Sequence, residues 1–252
     1  MTDLAYSPPR DLAARVRRRM VQARAARPAS IKLEQAALSV CFDDFPQSAA
    51  IDGARILERH GGRGGFYAAA GLAERDGPCG RNFSAADVTR LAASGHEIGC
   101  HTYGHDDCAQ RDVYDSLLDL ARNRDALAAM GHQGELRSLA YPYGETSAEF
   151  KSCLPPRFLA ARGVAPGLNT GRVDLVQLRA YPLFGADLSR AHAALRRAAA
   201  RKAWMIAYTH DVSETPSPYG VTPAALDGLL AAARRAGVLI APISLVLSRA
   251  LR

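Results

Sequence analysis

The chain of 252 residues has few cysteines, few aromatics and no long apolar run. Its five cysteines, at 41, 79, 100, 108 and 153, are scattered without a CxxC, a pattern that suits reduced thiols rather than a disulfide framework. No apolar stretch approaches the roughly 18 residues that a membrane-spanning helix needs. Aromatics make up only 7% and no RNP, helix-turn-helix or finger signature is present, so a nucleic-acid partner is not expected despite a net charge of +7. That charge is unevenly spread. Residues 1–40 hold eight Lys/Arg against three Asp/Glu, which is +5 and leaves +2 for the remaining 212. No apolar h-region follows the N-terminal arginines, so no secretory signal peptide is read and a cytoplasmic location is expected.

Hydrophobic residues at 48% and charged residues at 23% are ordinary for a globular protein. A chain of this length buries roughly 70–75% of its unfolded surface and needs neither disulfide nor structural metal to fold. Residues 1–37 read as a basic helical arm and 38–252 as one α/β domain. Apolar runs at 38–42, 64–72, 97–101, 137–142, 158–163, 175–183, 204–210 and 238–242 predict strands. Helical stretches alternate with them: 49–60, Ser84 to Gly95, about 111–130, 148–154, 187–200, 222–237 and a closing helix after Pro242. Strands that are nearly unbroken apolar runs predict a parallel sheet buried on both faces. With no GxGxxG after the first strand, a closed or partly closed (β/α) barrel of seven or eight parallel strands is favoured over a doubly wound sheet.

In parallel α/β architectures functional groups gather at the carboxyl ends of strands. Here those ends carry Asp43-Asp44, His101-Thr-Tyr-Gly-His105, Pro142-Tyr143-Gly144 and His210-Asp211. Two histidines beside an aspartate pair can hold Zn²⁺ or another divalent ion with a position left open, the make-up of a hydrolytic site rather than a structural one. Successive side chains on a strand point to opposite sides, so one aspartate can bind metal while the other serves as base. A His101/His105/Cys108 set is an alternative ligand trio, and an Asp pair that merely caps the next helix is an alternative to both. His60, His96, His132 and His192 read as helix-end or surface histidines, and Trp204 as core.

The strings SVCFDDF, HTYGH, AYPYG and AYTH, in this order, resemble the NodB-type polysaccharide deacetylases, carbohydrate esterase family 4. YTHDVSETPSPYGVTP and GHEIGCHTYGH look closest to the exopolysaccharide and holdfast-type deacetylases of bacteria. The resemblance implies a distorted (β/α) barrel, a divalent metal that is usually zinc, and removal of N-acetyl groups from N-acetylglucosamine units. It implies Asp43 as catalytic base, Asp44, His101 and His105 as metal ligands, and Thr102 as a support for the histidine loop. Tyr143 falls where a backbone N–H holds the oxyanion, Pro142 and Gly144 form the groove wall, and His210 falls where the general acid stands. Phe45 and Tyr219 are further expected substrate contacts.

The sequence departs from the family pattern in three places. Phe45-Pro46 follows the aspartate pair where glycine is usual. The arginine common just before the Pro-Tyr-Gly turn falls on Ala140 or Tyr141. The group that tunes the catalytic histidine is unreadable, with Asp174 and Arg179 as candidates. The implied partner is an amino-sugar polysaccharide or a lipid-linked oligosaccharide. A deformylase or amidase of the same fold and an inactive carbohydrate-binding scaffold are the competing readings. In the arm, Leu12, Val16 and Met20 form a narrow apolar stripe among arginines. It is expected to meet an anionic membrane surface, placing the protein at the inner membrane's periphery, or to pack on the barrel or a second copy in a homodimer.

Overall fold

The computed structural model describes residues 6–251. Helix α1 (Leu12–Ala23) starts behind Asp11, whose carboxylate accepts the Ala14 N–H at 2.8 Å. Strand β1 (Pro28–Ile31) leads to β2 (Ala37–Asp43), buried along its whole length. A π turn over Ala49–Gly53 runs into α2 (Ala54–Arg59), followed by β3 (Gly65–Ala68) and a small hairpin of β4 (Asp76–Gly77) and β5 (Gly80–Arg81). Helix α3 (Ala85–Ala93) opens with a capping box of Ser84 and Asp87. Then come β6 (Glu97–Cys100), α4 (Val113–Ala129), β7 (Ser138–Ala140), α5 (Ala148–Ser152) and β8 (Ala160–Arg162). The last third holds β9 (Gly171–Asp174), β10 (Tyr181–Pro182), α6 (Ser189–Arg201), β11 (Trp204–Thr209), α7 (Pro223–Arg235), β12 (Leu239–Ile240) and α8 (Ile243–Ala250).

Seven parallel strands in the order β10-β11-β2-β3-β6-β7-β8 form a curled half-barrel, and β12 adds alongside the first residues of β2. The expected (β/α) barrel is therefore present. The strand expected over 175–183 shrinks to Tyr181–Pro182. Asp174 interrupts it by accepting the Val176 N–H on its side chain and the Gln177 N–H on its carbonyl. The residues before that turn form β9, which pairs antiparallel with β1. The strand expected over 64–72 ends at Ala68, where Asn123 takes over the backbone by accepting the Ala70 N–H and donating to the Ala68 carbonyl, both at 2.9 Å.

The two-residue period of the strands sorts side chains between layers. Leu38, Val40 and Phe42 of β2 join Phe66, Ala68, Met205 and Ala207 in the outer core beneath the helices. Ala37 and Cys41 face the interior with Tyr67, Ala140, Ala160, Trp204, Ile206 and Tyr208. The same alternation turns Asp43 inward, and it puts Arg162 on the side of Ala160.

Helix α1 lies against the barrel. Ala14 and Val21 are buried, and Arg18 pairs with Glu145. Lys151, fully buried, donates to the Val21 carbonyl at 2.6 Å and pairs with Asp174 at 3.1 Å. Asp174 also accepts the N–H groups of Ala26 and Arg27, so it anchors the arm and does not tune a catalytic histidine. Arg179 is exposed and donates to the Pro166 carbonyl, which removes it from that role too.

His96 stands just past the end of α3, as a helix-end histidine would, but not at the surface: its ring is buried against Phe66. Its Nδ1 accepts the Gly64 N–H at 3.1 Å and its Nε2 faces Glu58 at 3.1 Å. Accepting at Nδ1 requires the neutral ring, and burial pushes its pKa below the usual value, Glu58 notwithstanding. The lowered pKa contributes stability that is complete above the unfolded value of about 6.5 and is lost as pH falls below it. His96→Asn is expected to lower Tm at pH 7.5 and to reduce its fall between pH 7 and pH 5; an unchanged slope in thermal melts would contradict this.

Candidate active site

Strand β2 delivers two carboxylates to the rim, and a left-handed turn at Asp44 (φ 45°) separates them. Asp43, inside the barrel, pairs with the guanidinium of Arg162 from the end of β8. Both side chains are buried, and the guanidinium lies 4.9 Å from the Tyr67 ring centre and 5.3 Å from that of Tyr208. Burial alone would raise the Asp43 carboxyl; Arg162, with His101 and His210 behind it, overrides burial and holds it below the usual carboxylate range. Arg162 is not among the residues that the sequence motifs single out, since the family's arginine is expected just before the Pro-Tyr-Gly turn. Its position at a strand's carboxyl end was the available signal.

Asp44 turns the other way. Its Oδ2 is 3.1 Å from His105 Nε2 and its Oδ1 3.9 Å from His101 Nε2. Ligand atoms of Asp44, His101 and His105 all lie within 4.8 Å of one another, and no other such trio of His, Cys, Asp or Glu occurs among the described residues. Nδ1 of His101 is bound to the Ala140 carbonyl at 2.7 Å, which leaves Nε2 as the free lone pair. Burial lowers the pKa of His101, and it lowers that of His105 to about 4 with help from His210, so both rings are neutral donors near pH 7. Asp44 Oδ1 is buried without a hydrogen-bond partner, and burial raises its carboxyl. An orphaned carboxylate oxygen between two neutral imidazoles fits a divalent cation. Cys108 lies outside the trio: its thiol donates to the Asp106 carbonyl, and burial pushes its pKa far up. The alternative His101/His105/Cys108 set is thereby corrected.

Of the six non-glycine residues with positive φ among the described residues, four sit here: Asp44, Thr102, His105 and Tyr143, at 45°, 61°, 58° and 58°. Each costs on the order of 1–3 kcal/mol and persists only where neighbours fix it. Thr102 Oγ1 accepts the His105 N–H at 3.1 Å, as expected of a support. Asp119 of α4, unforeseen in the sequence, accepts the N–H groups of Tyr103 and Gly104 at 2.6 and 3.1 Å.

The remaining candidates divide. Tyr143 packs edge-on against His105 at 4.6 Å, and Gly144 (φ 72°) follows in a turn where a Cβ would come within 2.3 Å of Val164. Pro142 is buried beneath that turn. His210 directly follows β11 at the same rim, 5.7 Å from the Tyr219 ring, and Tyr219 is 52% exposed. Phe45 is the exception. It is fully buried, stacked on Phe83 at 4.3 Å and edge-on to Phe66, so it offers no surface to a substrate. The turn at Asp44 directs it into the outer core.

The fold is shared with solved structures. Peptidoglycan deacetylase PdaC from Bacillus subtilis aligns with a TM-score of 0.54 and 15% identity over 87% of this chain and 93% of that one. A family 4 carbohydrate esterase from Streptomyces lividans, in complex with acetate, gives 0.54 and 17% over 82% and 92%. A family 4 pseudoenzyme from Bacillus anthracis gives 0.55 and 13% over 86% and 67%. No curated protein matches the chain in sequence. Residues 30–154 match the polysaccharide deacetylase family. That stretch of the chain has the sequence pattern of the polysaccharide deacetylases. It includes Asp43, Asp44, His101, His105 and Tyr143; Arg162 and His210 lie beyond it. The purified protein is expected to hold about one divalent ion per chain, lost in His105→Ala and kept in Cys108→Ser. Elemental analysis showing the reverse would overturn the ligand set.

Proposed function

We propose that this protein is a deacetylase that removes acetyl groups from N-acetylglucosamine-type residues of a bacterial exopolysaccharide or its lipid-linked precursor. The observation that carries this reading is the division of the aspartate pair. Asp43 is locked to Arg162 and ionised, while Asp44 stands with two neutral imidazoles. Asp44, His101 and His105 would hold a divalent ion, which would supply Lewis acidity there; two nitrogens with one carboxylate oxygen suit zinc.

The chain's own groups do the rest. Asp43 takes a proton from the attacking water, and Arg162 keeps it aimed and charged. The main-chain N–H of Tyr143 receives the oxyanion of the tetrahedral intermediate, a donor worth about 3 kcal/mol in comparable sites. His210 hands a proton to the departing amine. Tyr219 and the Pro142–Gly144 turn border the sugar. A peptidoglycan deacetylase and a carbohydrate esterase among the structural relatives support a carbohydrate substrate.

Asp43→Asn is expected to retain its metal and to lose roughly 10²–10⁴-fold in acetate release from N-acetylglucosamine oligomers. Asp44→Asn is expected to lose the metal itself. Equal metal loss in the two variants would refute the division of roles, and metal-loaded wild type that releases no acetate would favour the inactive scaffold.

A further inference from the structure

Helix α1 is pinned by one face only. Ala14, Arg18 and Val21 meet the barrel, and Leu12, Val16 and Met20 point away from it, 77%, 48% and 68% exposed. At 3.6 residues per turn those three form a stripe opposite the docked face. Arg15 and Arg19 flank it on one side, and Arg17 and Arg24 on the other; all four are exposed. Three large apolar side chains facing water between two pairs of arginines need a partner that is apolar in depth and anionic at its surface.

We infer that α1 is a docking helix for the surface of an anionic phospholipid bilayer, with Leu12, Val16 and Met20 inserted at the headgroup boundary and the four arginines on lipid phosphates. Arginine suits this position because its long stem lies along apolar surface while its guanidinium reaches the phosphate layer. The barrel holds the helix formed beforehand through Lys151, Asp174 and Glu145, so binding carries no cost of folding it. A second copy is a poorer occupant. A two-fold contact across this stripe would set like arginines against one another, and three side chains fall well short of the roughly 800 Å² per partner of a stable interface. A polyanion in solution would satisfy the arginines and leave the stripe in water.

The contact bears on the site. Arg18 of the same helix pairs with Glu145, next to the Pro142–Gly144 turn, and Tyr6 packs on Tyr143 at 5.0 Å while its hydroxyl donates to Asp107. If the deacetylase reading holds, docking brings this rim to amino sugars carried on lipid.

The test is sedimentation of the full chain with phosphatidylcholine vesicles, with and without phosphatidylglycerol, at rising salt. Binding is expected only with phosphatidylglycerol, weakening as salt screens it. Met20→Ser should weaken it about tenfold, and each of Arg15→Gln and Arg19→Gln about fivefold. All three positions face solvent, so the melting temperature should stay unchanged. Absence of binding, equal binding to neutral vesicles, or indifference to Met20→Ser would overturn the inference. So would a wild-type dimer that Met20→Ser dissociates. Binding is read without catalysis, so its failure leaves the deacetylase reading untouched.

Discussion

Asp43 is buried at the end of β2, and it stays ionised there because Arg162 is buried with it. Neither charge is tolerable alone. Breaking a buried pair by removing one partner typically costs about 3–5 kcal/mol, since the other is left without compensation. The aromatic rings of Tyr67 and Tyr208 flank the guanidinium and leave it little freedom to turn away. Asp43 is thereby separated from Asp44 in environment as well as direction. The first carboxylate is spoken for by a cation of the chain, and the second is left with an unpartnered oxygen among neutral imidazoles.

Backbone strain follows from that arrangement. Turning two adjacent aspartates in different directions goes with a left-handed residue at Asp44, and the histidine loop and the Tyr143 turn adopt the same uncommon conformation. Such residues are held by what surrounds them. Asp119 grips the histidine loop through two N–H groups, Thr102 through a third, and Ala140 fixes the His101 ring. The arm adds a support from outside, since Arg18 and Tyr6 reach the Glu145 and Tyr143 side of the rim.

Much of this was legible in the chain itself. Residues 38–42, 97–101 and 204–210 are apolar runs ending in acids or histidines, and a parallel sheet puts such ends on one rim. The unreadable parts depend on tertiary contacts. Arg162 closes a short strand of alanines, and nothing local tells that it crosses the interior to Asp43. Phe45 follows the aspartates in sequence, yet the left-handed turn sends it into the outer core. The 175–183 run is apolar enough for a strand, but Asp174 caps a turn there and is claimed by the arm. The stripe of α1 was visible; which face docks on the barrel was set by Lys151 and Glu145, far away in sequence.

If Arg162 acts by holding Asp43, the two residues must behave as one unit. The direct measurement is a double-mutant cycle on acetate release by the metal-loaded enzyme, using Arg162→Met, Asp43→Asn and the two combined. Arg162→Met should cost about tenfold or more in the wild type and almost nothing further once Asp43 is asparagine. Losses that simply multiply would show that Arg162 and Asp43 act independently and would contradict the ion pair's central role.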